Sequence, residues 1–230
     1  MIRRALREFI IYCFHVASII MRQHPHLKGR ENLRSIPSPY IVSPTHDSYY
    51  EIPSLSRVYY SLKPRPDFVV LAKEDFLSGC YLARNFGKGN LILKCLFTLL
   101  DKTALPFIIF KIMRLTTIHR PFIDACAGRR DELRSEIGGQ IDRARESISK
   151  GLSTLIFPEG TTWGFGGLKK IRSAVYQLVD NTYRSARRKV HVIPINVKVD
   201  RLVKGGKDIF INVGRPVFLR CSKEEFNERL

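Results

Sequence analysis

The chain has 230 residues, which is long enough for one substantial α/β domain and too short for two comfortable ones. Lysine and arginine number 39 against 21 aspartate and glutamate residues, so the formal net charge of +18 favours an anionic partner: nucleic acid, an acidic membrane surface, or an acidic carrier molecule. The 5 cysteines include no Cys-x2-Cys pair, which argues against a disulfide framework or a structural zinc site and favours a reducing, cytosol-facing environment.

The N-terminus predicts a helix with a basic flank. Three arginines within the first seven residues precede an apolar run from Phe9 to Met21. That run is too short to span a bilayer, and no secretory cleavage site is evident. A helix lying in the membrane interface fits the arginines best, and a core helix of the domain is the alternative. His24-Pro25-His26 then breaks the helix, so we interpret residues 1–29 as an interfacial helix with a linker and residues 30–230 as the main domain.

The next predicted element is a short strand, Tyr40-Ile41-Val42, followed by a polar turn and a helix. The turn carries His46, and Glu51 lies five residues later, where helical spacing begins. An imidazole suits a general base because its pKa lies near neutrality, and a carboxylate bonded to its far nitrogen fixes the tautomer. The simpler alternative is a surface histidine in a polar loop. Asp47 is a competing acid, although its adjacency to His46 favours a role as a helix cap.

Further along, residues 76–113 form an apolar insertion. Leu91–Leu100 and Leu105–Met113 are strongly apolar, but charged residues interrupt them, so neither is a clean membrane span. We predict two short helices with a turn near Asp101.

The C-terminal half alternates helix and strand. Residues 131–150 form a clear amphipathic helix that ends at Gly151, and the strand Thr154–Phe157 then runs into Pro158-Glu159-Gly160. After a glycine-rich loop, a further helix extends to about Arg188. The alternation predicts an α/β fold, a single domain with a mainly parallel or mixed sheet covered by helices. Open sheets of this class bind ligands at the carboxyl ends of their strands, where Glu159 lies.

His46, Glu51 and the block Phe157-Pro158-Glu159-Gly160-Thr161 together resemble the glycerolipid acyltransferase family, whose best-known members are the 1-acylglycerol-3-phosphate acyltransferases. In that family the first block reads Asn-His-x4-Asp and the third Phe-Pro-Glu-Gly-Thr-Arg-Ser. Four further segments are similar to the family's other strands and blocks and fall in its order, so the resemblance covers roughly residues 30 to 220. These segments are Phe68–Lys73, Thr117–Arg120, Val192–Val197 and Ile211–Pro216.

The resemblance implies transfer of a fatty acyl group from an acyl thioester, acyl-CoA or acyl carrier protein, to the hydroxyl of a lysophospholipid such as 1-acylglycerol-3-phosphate. His46 is then the expected base and Glu51 its orienting acid. The other residues expected at the substrates are Lys73, Arg120, Glu159, Gly160, Thr161, Thr162 and Lys170. Direct attack without an acyl-enzyme is expected, because no Gly-x-Ser-x-Gly elbow is present. Neither a cofactor nor a metal is implied, and the expected location is the cytoplasmic face of an anionic membrane.

Two departures from the family pattern keep alternatives open. Glu51 is one methylene longer than the usual aspartate, and Thr162 stands where relatives have an arginine thought to hold the acceptor's phosphate. Another lysolipid, another lipid alcohol, or a catalytically weak lipid-binding homologue therefore remain as alternatives. A nucleic-acid-binding protein is disfavoured, because only residues 184–189 form a basic cluster and no recognition motif is present. The insertion either lines an acyl-chain channel, enters the membrane, or enlarges the core.

Overall fold

The computed structural model describes residues 2–47, 51–73, 83, 91–100, 102–103, 105–118, 130–159, 174–200 and 207–218. The chain divides into two compact units, residues 1–68 with 144–230, and residues 69–143. The described helices are α1 (Ile2–Ile20), α2 (Glu51–Ser54), α3 (Ser56–Ser61), α4 (Leu91–Leu100), α5 (Leu105–Met113), α6 (Arg130–Ser149) and α7 (Ala174–Ala186). The described strands are β1 (Gln23–Lys28), β2 (Tyr40–Pro44), β3 (Phe68–Lys73), β4 (Leu115–Ile118), β5 (Ser153–Leu155), β6 (His191–Val199) and β7 (Lys207–Val213).

The first unit contains a mixed sheet in the order β1-β7-β6-β2-β5. Strands β5, β2 and β6 are parallel to one another, whereas β7 is antiparallel to β6 and parallel to β1. The central strands are apolar on both faces, with Ile41, Val42, Ile193 and Ile195 all buried, as expected for strands covered on two sides. Because β2 and β5 are parallel, the segments that follow them leave the sheet at the same edge.

Strand β1 corrects one sequence-based interpretation. His24-Pro25-His26 does not form a linker; it lies inside β1, which pairs in register with β7 from Gln23↔Lys207 to Lys28↔Asn212. Pro25 is accommodated because β1 ends the strand order of the described sheet, and an edge strand has one side without ladder hydrogen bonds. The boundary placed between residues 29 and 30 stays a prediction.

Strand β6 carries a proline at its centre without losing its place in the sheet. Pro194 lies where the β6–β7 ladder is interrupted, between the pair Ile195↔Val213 and the isolated bridge Val192–Val217. Its missing N–H therefore removes no ladder bond there, while its carbonyl accepts a hydrogen bond from Gly214 N at 2.8 Å. A Cβ on Gly214 would come within 2.8 Å of the Pro194 ring, so the glycine permits the close approach.

Helix α1 packs against the rest of the first unit with the side that carries Arg7, Ile11 and Ser18. Arg7 is buried, and its Nη1 lies 2.5 Å from Asp67 Oδ1. On the same side, Tyr59 donates a hydrogen bond from its hydroxyl to Glu8 Oε1. Burial, followed by the bond to Glu8, raises the pKa of Tyr59 to about 12. Specific polar contacts therefore fix how α1 lies on α3.

The opposite side of α1 is apolar and faces outward. Ile2 is 78% exposed, Phe9 62% and Ile20 75%. Leu6, Tyr12 and Ile19 are exposed as well, with Arg3 and Arg4 beside them. None of the described helices has the length and apolar character needed to cross a bilayer.

The second unit contains strands β3 and β4, which pair in parallel from Val70↔Leu115 to Lys73↔Ile118. Its apolar insertion forms the two predicted helices, α4 and α5, and Lys102 lies in a turn after α4, with its N–H donating to Leu99 O at 3.0 Å. Asp101 itself, where the turn was predicted, lies outside the described residues. Leu91, Leu99, Phe107 and Ile108 are all exposed large apolar side chains. At these four positions the insertion adds apolar surface rather than core.

The predicted amphipathic helix over 131–150 is confirmed as α6. Ala144 and Ile148, two members of its apolar stripe, are fully buried. Gly151 follows with a φ of 90°, and its N–H donates to Ile148 O at 2.9 Å, which ends the helix as the sequence predicted. The chain then enters β5.

Candidate active site

The histidine of the first block lies on a turn that leaves the sheet after β2. Strand β2 is held between β5 and β6 and ends at Pro44, so His46 comes two residues beyond the carboxyl end of a central parallel strand. Ligand sites in open α/β sheets form at such edges. Because β2 is a buried apolar strand held between two neighbouring strands, the position of its carboxyl end is fixed. The turn that follows therefore places His46 at this edge of the sheet.

His46 and Glu51 are joined by a short, buried hydrogen bond. His46 Nδ1 lies 2.5 Å from Glu51 Oε1; His46 is 7% exposed and Glu51 0%. Glu51 is the first residue of α2, so the polar turn and the helix together bring the two side chains into contact. A carboxylate at Nδ1 favours the tautomer in which Nδ1 carries the proton, and the lone pair then lies on Nε2. That arrangement suits a general base.

An aromatic ring from the third block packs on the imidazole. Phe157 follows β5, and its ring centroid lies 4.3 Å from that of His46 with the planes inclined by 30°. Ile156 N donates to Val42 O at 3.0 Å, which continues the β2–β5 pairing up to Phe157. Glu159, two residues further on, is buried. The first and third sequence blocks therefore meet at one edge of the sheet.

Asp47 contacts β6. Its Oδ2 accepts a hydrogen bond from Val199 N at 3.0 Å, and Lys198 Nζ lies 3.6 Å from Oδ1. Residues 48–50, which precede α2, lie outside the described part of the chain, so the helix-cap interpretation of Asp47 stays a prediction. Glu51 is the acid bonded to His46 Nδ1.

The remaining predicted site residues are placed only in part. Lys73 is the last residue of β3, and its side chain lies outside the described part. Arg120, Gly160, Thr161, Thr162 and Lys170 also lie outside the described residues. The structure thus brings together His46, Glu51 and the segment Phe157–Glu159. The stacking of Phe157 on His46 was not predicted from the sequence. The position of Phe157 in the third block, just before Pro158 and Glu159, was the signal that could have indicated it.

The geometry has the components of a buried acid–base pair and shows no metal centre in the described ranges. No group of three or more His, Cys, Asp or Glu side chains there is arranged to hold a metal ion. His26, by contrast with His46, lies on the exposed side of β1, 2.8 Å from Asp208 Oδ1. What distinguishes His46 is that its hydrogen bond to a carboxylate is buried, whereas that of His26 is exposed.

Comparison with known proteins agrees with this arrangement. The family model described as Acyltransferase matches residues 24–198, which is most of the chain. The chain belongs to the acyltransferase family. The matched segment of this acyltransferase contains His46, Glu51 and Phe157–Glu159, so the hydrogen bond between His46 and Glu51 and the stacking of Phe157 on His46 both lie inside it. No curated protein sequence matches the chain.

The fold of this acyltransferase is also found among solved structures. The crystal structure of the 1-acyl-sn-glycerophosphate (LPA) acyltransferase PlsC from Thermotoga maritima matches it with a TM-score of 0.56 and 15% sequence identity. The match covers 98% of this chain and 77% of that chain. The likeness confirms the predicted α/β class with a mixed sheet flanked by helices.

Proposed function

We propose that this acyltransferase moves a fatty acyl group from an acyl thioester, acyl-CoA or acyl carrier protein, to the hydroxyl of a lysophospholipid. The observation that carries the proposal is the buried hydrogen bond between His46 Nδ1 and Glu51 Oε1, at the edge where β2 and β5 end. Membership in the family supplies the reaction class. The dyad supplies the group that takes the proton.

The proposed reaction needs one proton carrier and no covalent enzyme intermediate. His46 Nε2 takes the proton of the lipid hydroxyl as its oxygen attacks the thioester carbonyl carbon. Collapse of the tetrahedral intermediate breaks the C–S bond, and the imidazolium returns the proton to the departing sulfur. Glu51 holds the ring and stabilises the imidazolium between these steps. Backbone amides near Gly160 are the proposed donors to the oxyanion, and no metal or cofactor takes part.

The leading acceptor is 1-acylglycerol-3-phosphate. The high basic content, 39 lysine and arginine residues, supports an anionic acceptor. Lys73, Arg120 and Lys170 are the proposed partners of the anionic groups. Thr162 supports a second candidate, a lysolipid with a larger head group or another lipid alcohol, because an arginine at that position would bind a phosphate monoester bidentately.

We propose in addition that the enzyme works at the cytoplasmic face of an anionic membrane, held there by α1. The apolar side of this helix faces outward and Arg3 and Arg4 are exposed beside it, which is the arrangement of an interfacial amphipathic helix. Anionic lipids attract such arginines. The proposed acceptor and its product are both lipids, so docking would bring the enzyme to the membrane that contains them.

A transfer assay on the full chain tests the function. Labelled acyl-CoA and acyl carrier protein are each offered with lysophosphatidate and with head-group-bearing lysolipids. We expect transfer with at least one pair, and its loss in His46→Ala. His26→Ala is the matched control, because it also removes a histidine bonded to a carboxylate, but one that is exposed on β1. No transfer with any pair, or equal activity in His46→Ala, would contradict the proposal.

A further inference from the structure

The turn that carries His46 is bound to β6 by the residues on either side of it. Backbone pairing between β2 and β6 ends at Pro44↔Ile195, yet β6 continues to Val199. Thr45 N donates to Ile195 O at 2.8 Å. Beyond that point the β6 backbone still needs hydrogen-bond partners on its β2 side, because a buried peptide group left unpaired is costly.

Two side chains supply those partners. Val197 N donates to Thr45 Oγ1 at 2.8 Å, and the same hydroxyl donates to Val197 O at 3.2 Å. Val199 N donates to Asp47 Oδ2 at 3.0 Å. Asp47 is buried and Thr45 half-buried. The side chains of residues 45 and 47 thus continue the ladder after the backbone of β2 has left it, and His46 lies between these two attachments.

We propose that Thr45 and Asp47 are positioning residues, which fix the turn so that the His46 imidazole meets Glu51. The inference rests on the proposed role of His46 as the base. Glu51 is on α2, whereas the imidazole is on the turn, so their 2.5 Å contact requires the turn to be held still relative to the helix. Two hydrogen-bonded side chains on one strand give the turn two attachment points, and displacements of about 1 Å at a catalytic group cost on the order of 100-fold in rate.

At each attachment, one variant removes the hydrogen-bonding group and a second variant keeps it. Thr45→Val keeps the shape and removes the hydroxyl, whereas Thr45→Ser keeps it. Asp47→Ala removes the acceptor, whereas Asp47→Asn keeps an oxygen for Val199 N and loses only the charge near Lys198.

Matched controls come from α7. Thr182 is fully buried and its hydroxyl has no hydrogen-bond partner in the described part of the chain, so Thr182→Val makes the same change without breaking a bond. Asp180→Ala removes an aspartate bonded to Arg184 at the surface.

Two measurements are made on each full-length variant: steady-state transfer, and the tautomer of His46 by NMR on chain labelled with ¹⁵N-histidine. The chain has 6 histidines, and the His46 signal is assigned by its absence in His46→Asn. We expect Thr45→Val and Asp47→Ala to lower kcat about tenfold or more with KM changed less than about twofold, and to reduce the Nδ1–H tautomer. Thr45→Ser and Asp47→Asn should recover most of both, and the α7 controls should match wild type.

The outcomes separate the two proposals. Wild-type tautomer and kcat in both Thr45→Val and Asp47→Ala would overturn the inference, as would an Asp47→Asn variant as poor as Asp47→Ala, which would implicate the charge instead. A loss confined to KM would also overturn it. If wild type transfers no acyl group to any acceptor, the proposed function fails, and the NMR result still decides whether the two side chains hold His46. Should Thr45→Val not fold, the Asp47 pair makes the same test at the second attachment.

Discussion

His46 and Phe157 stack with their ring centroids 4.3 Å apart, although one follows β2 and the other follows β5. The contact joins the two most distinctive segments of the sequence through a face of the proposed base. An aromatic ring over an imidazole limits its rotation without competing for either ring nitrogen.

Replacing Phe157 by leucine should slow transfer without preventing folding. Leucine keeps most of the apolar volume but loses the ring stacking, which is worth about 0.5–1.5 kcal/mol, so we expect kcat to fall by about 2- to 12-fold. Phe210→Leu is the control, because Phe210 also stacks on a histidine, His26, but on the exposed side of β7. Equal effects of the two substitutions would mean that the His46 contact has no special role.

His46 and Glu51 should act as one unit. His46→Ala should reduce kcat roughly 100- to 10,000-fold, and Glu51→Gln at least about tenfold, because the neutral amide no longer stabilises the imidazolium. In the double variant the two losses should not add. Glu51→Asp should fall short of wild type, since a side chain one methylene shorter cannot span the present 2.5 Å contact without movement of α2. Additive losses in steady-state kinetics would show that the two residues act independently.

The two sides of α1 should have separable effects. Phe9→Gln changes the outward side and should weaken sedimentation with anionic vesicles while leaving the melting temperature unchanged. Arg7→Met changes the buried side, breaks the 2.5 Å contact with Asp67, and should lower the free energy of unfolding by about 1.5–3 kcal/mol. Vesicle binding that survives Phe9→Gln, Ile2→Gln and Ile20→Gln combined would exclude this helix side as the membrane contact.

His191 should make the fold less stable in mild acid. Burial, and then the nearby charge of Lys189, lowers the pKa of His191 below its usual 6.5. The unfolded chain therefore binds a proton before the folded chain does as the pH falls, so the stability present above about pH 6.5 is lost below it. We expect urea unfolding of His191→Gln to show a smaller loss between pH 7.5 and 5.5 than wild type. His24→Gln, at an exposed position, is the control, and parallel losses in wild type and His191→Gln would contradict the prediction.

Thr162→Arg should shift the acceptor preference toward a phosphate monoester. An added charge-assisted, bidentate contact is worth on the order of 1.5–3 kcal/mol, so turnover on lysophosphatidate relative to head-group-bearing lysolipids should rise about tenfold or more. Thr161→Arg, which introduces the same arginine at the adjacent position, is the control. A wild type that already prefers lysophosphatidate strongly, with no change in Thr162→Arg, would show that the missing arginine carries no specificity here.

Much of the fold was predictable because its signals are local. The strand before His46, the strand before Phe157 and the amphipathic helix α6 each show their period or their apolar run in the sequence, and each lies where predicted. The spacing from His46 to Glu51 likewise spans one turn and the start of one helix. Such features depend on nearest neighbours, which a sequence displays directly.

Other features depend on partners distant in the sequence. Nothing local in His24-Pro25-His26 indicates a strand, because β1 forms only where β7 offers it a ladder. The hydroxyl of Thr45 and the carboxylate of Asp47 look like ordinary turn residues until β6 is placed beside them. The orientation of α1 was equally hidden, since the sequence contains polar and apolar sides but does not state that Arg7 is the buried one.

Because of that orientation, the outward side chains of α1 are exposed, and we expect them to contribute little to the stability of the fold. Ile2, Leu6 and Phe9 can be randomised together while Arg7 and Ile11 keep the helix in place, because the two sets lie on opposite sides. Changing these few surface residues could then make the same catalytic domain bind to a resin, a scaffold protein or a different lipid phase. For biocatalysis, we expect the outward side of α1 to serve as an engineered attachment point for this acyltransferase.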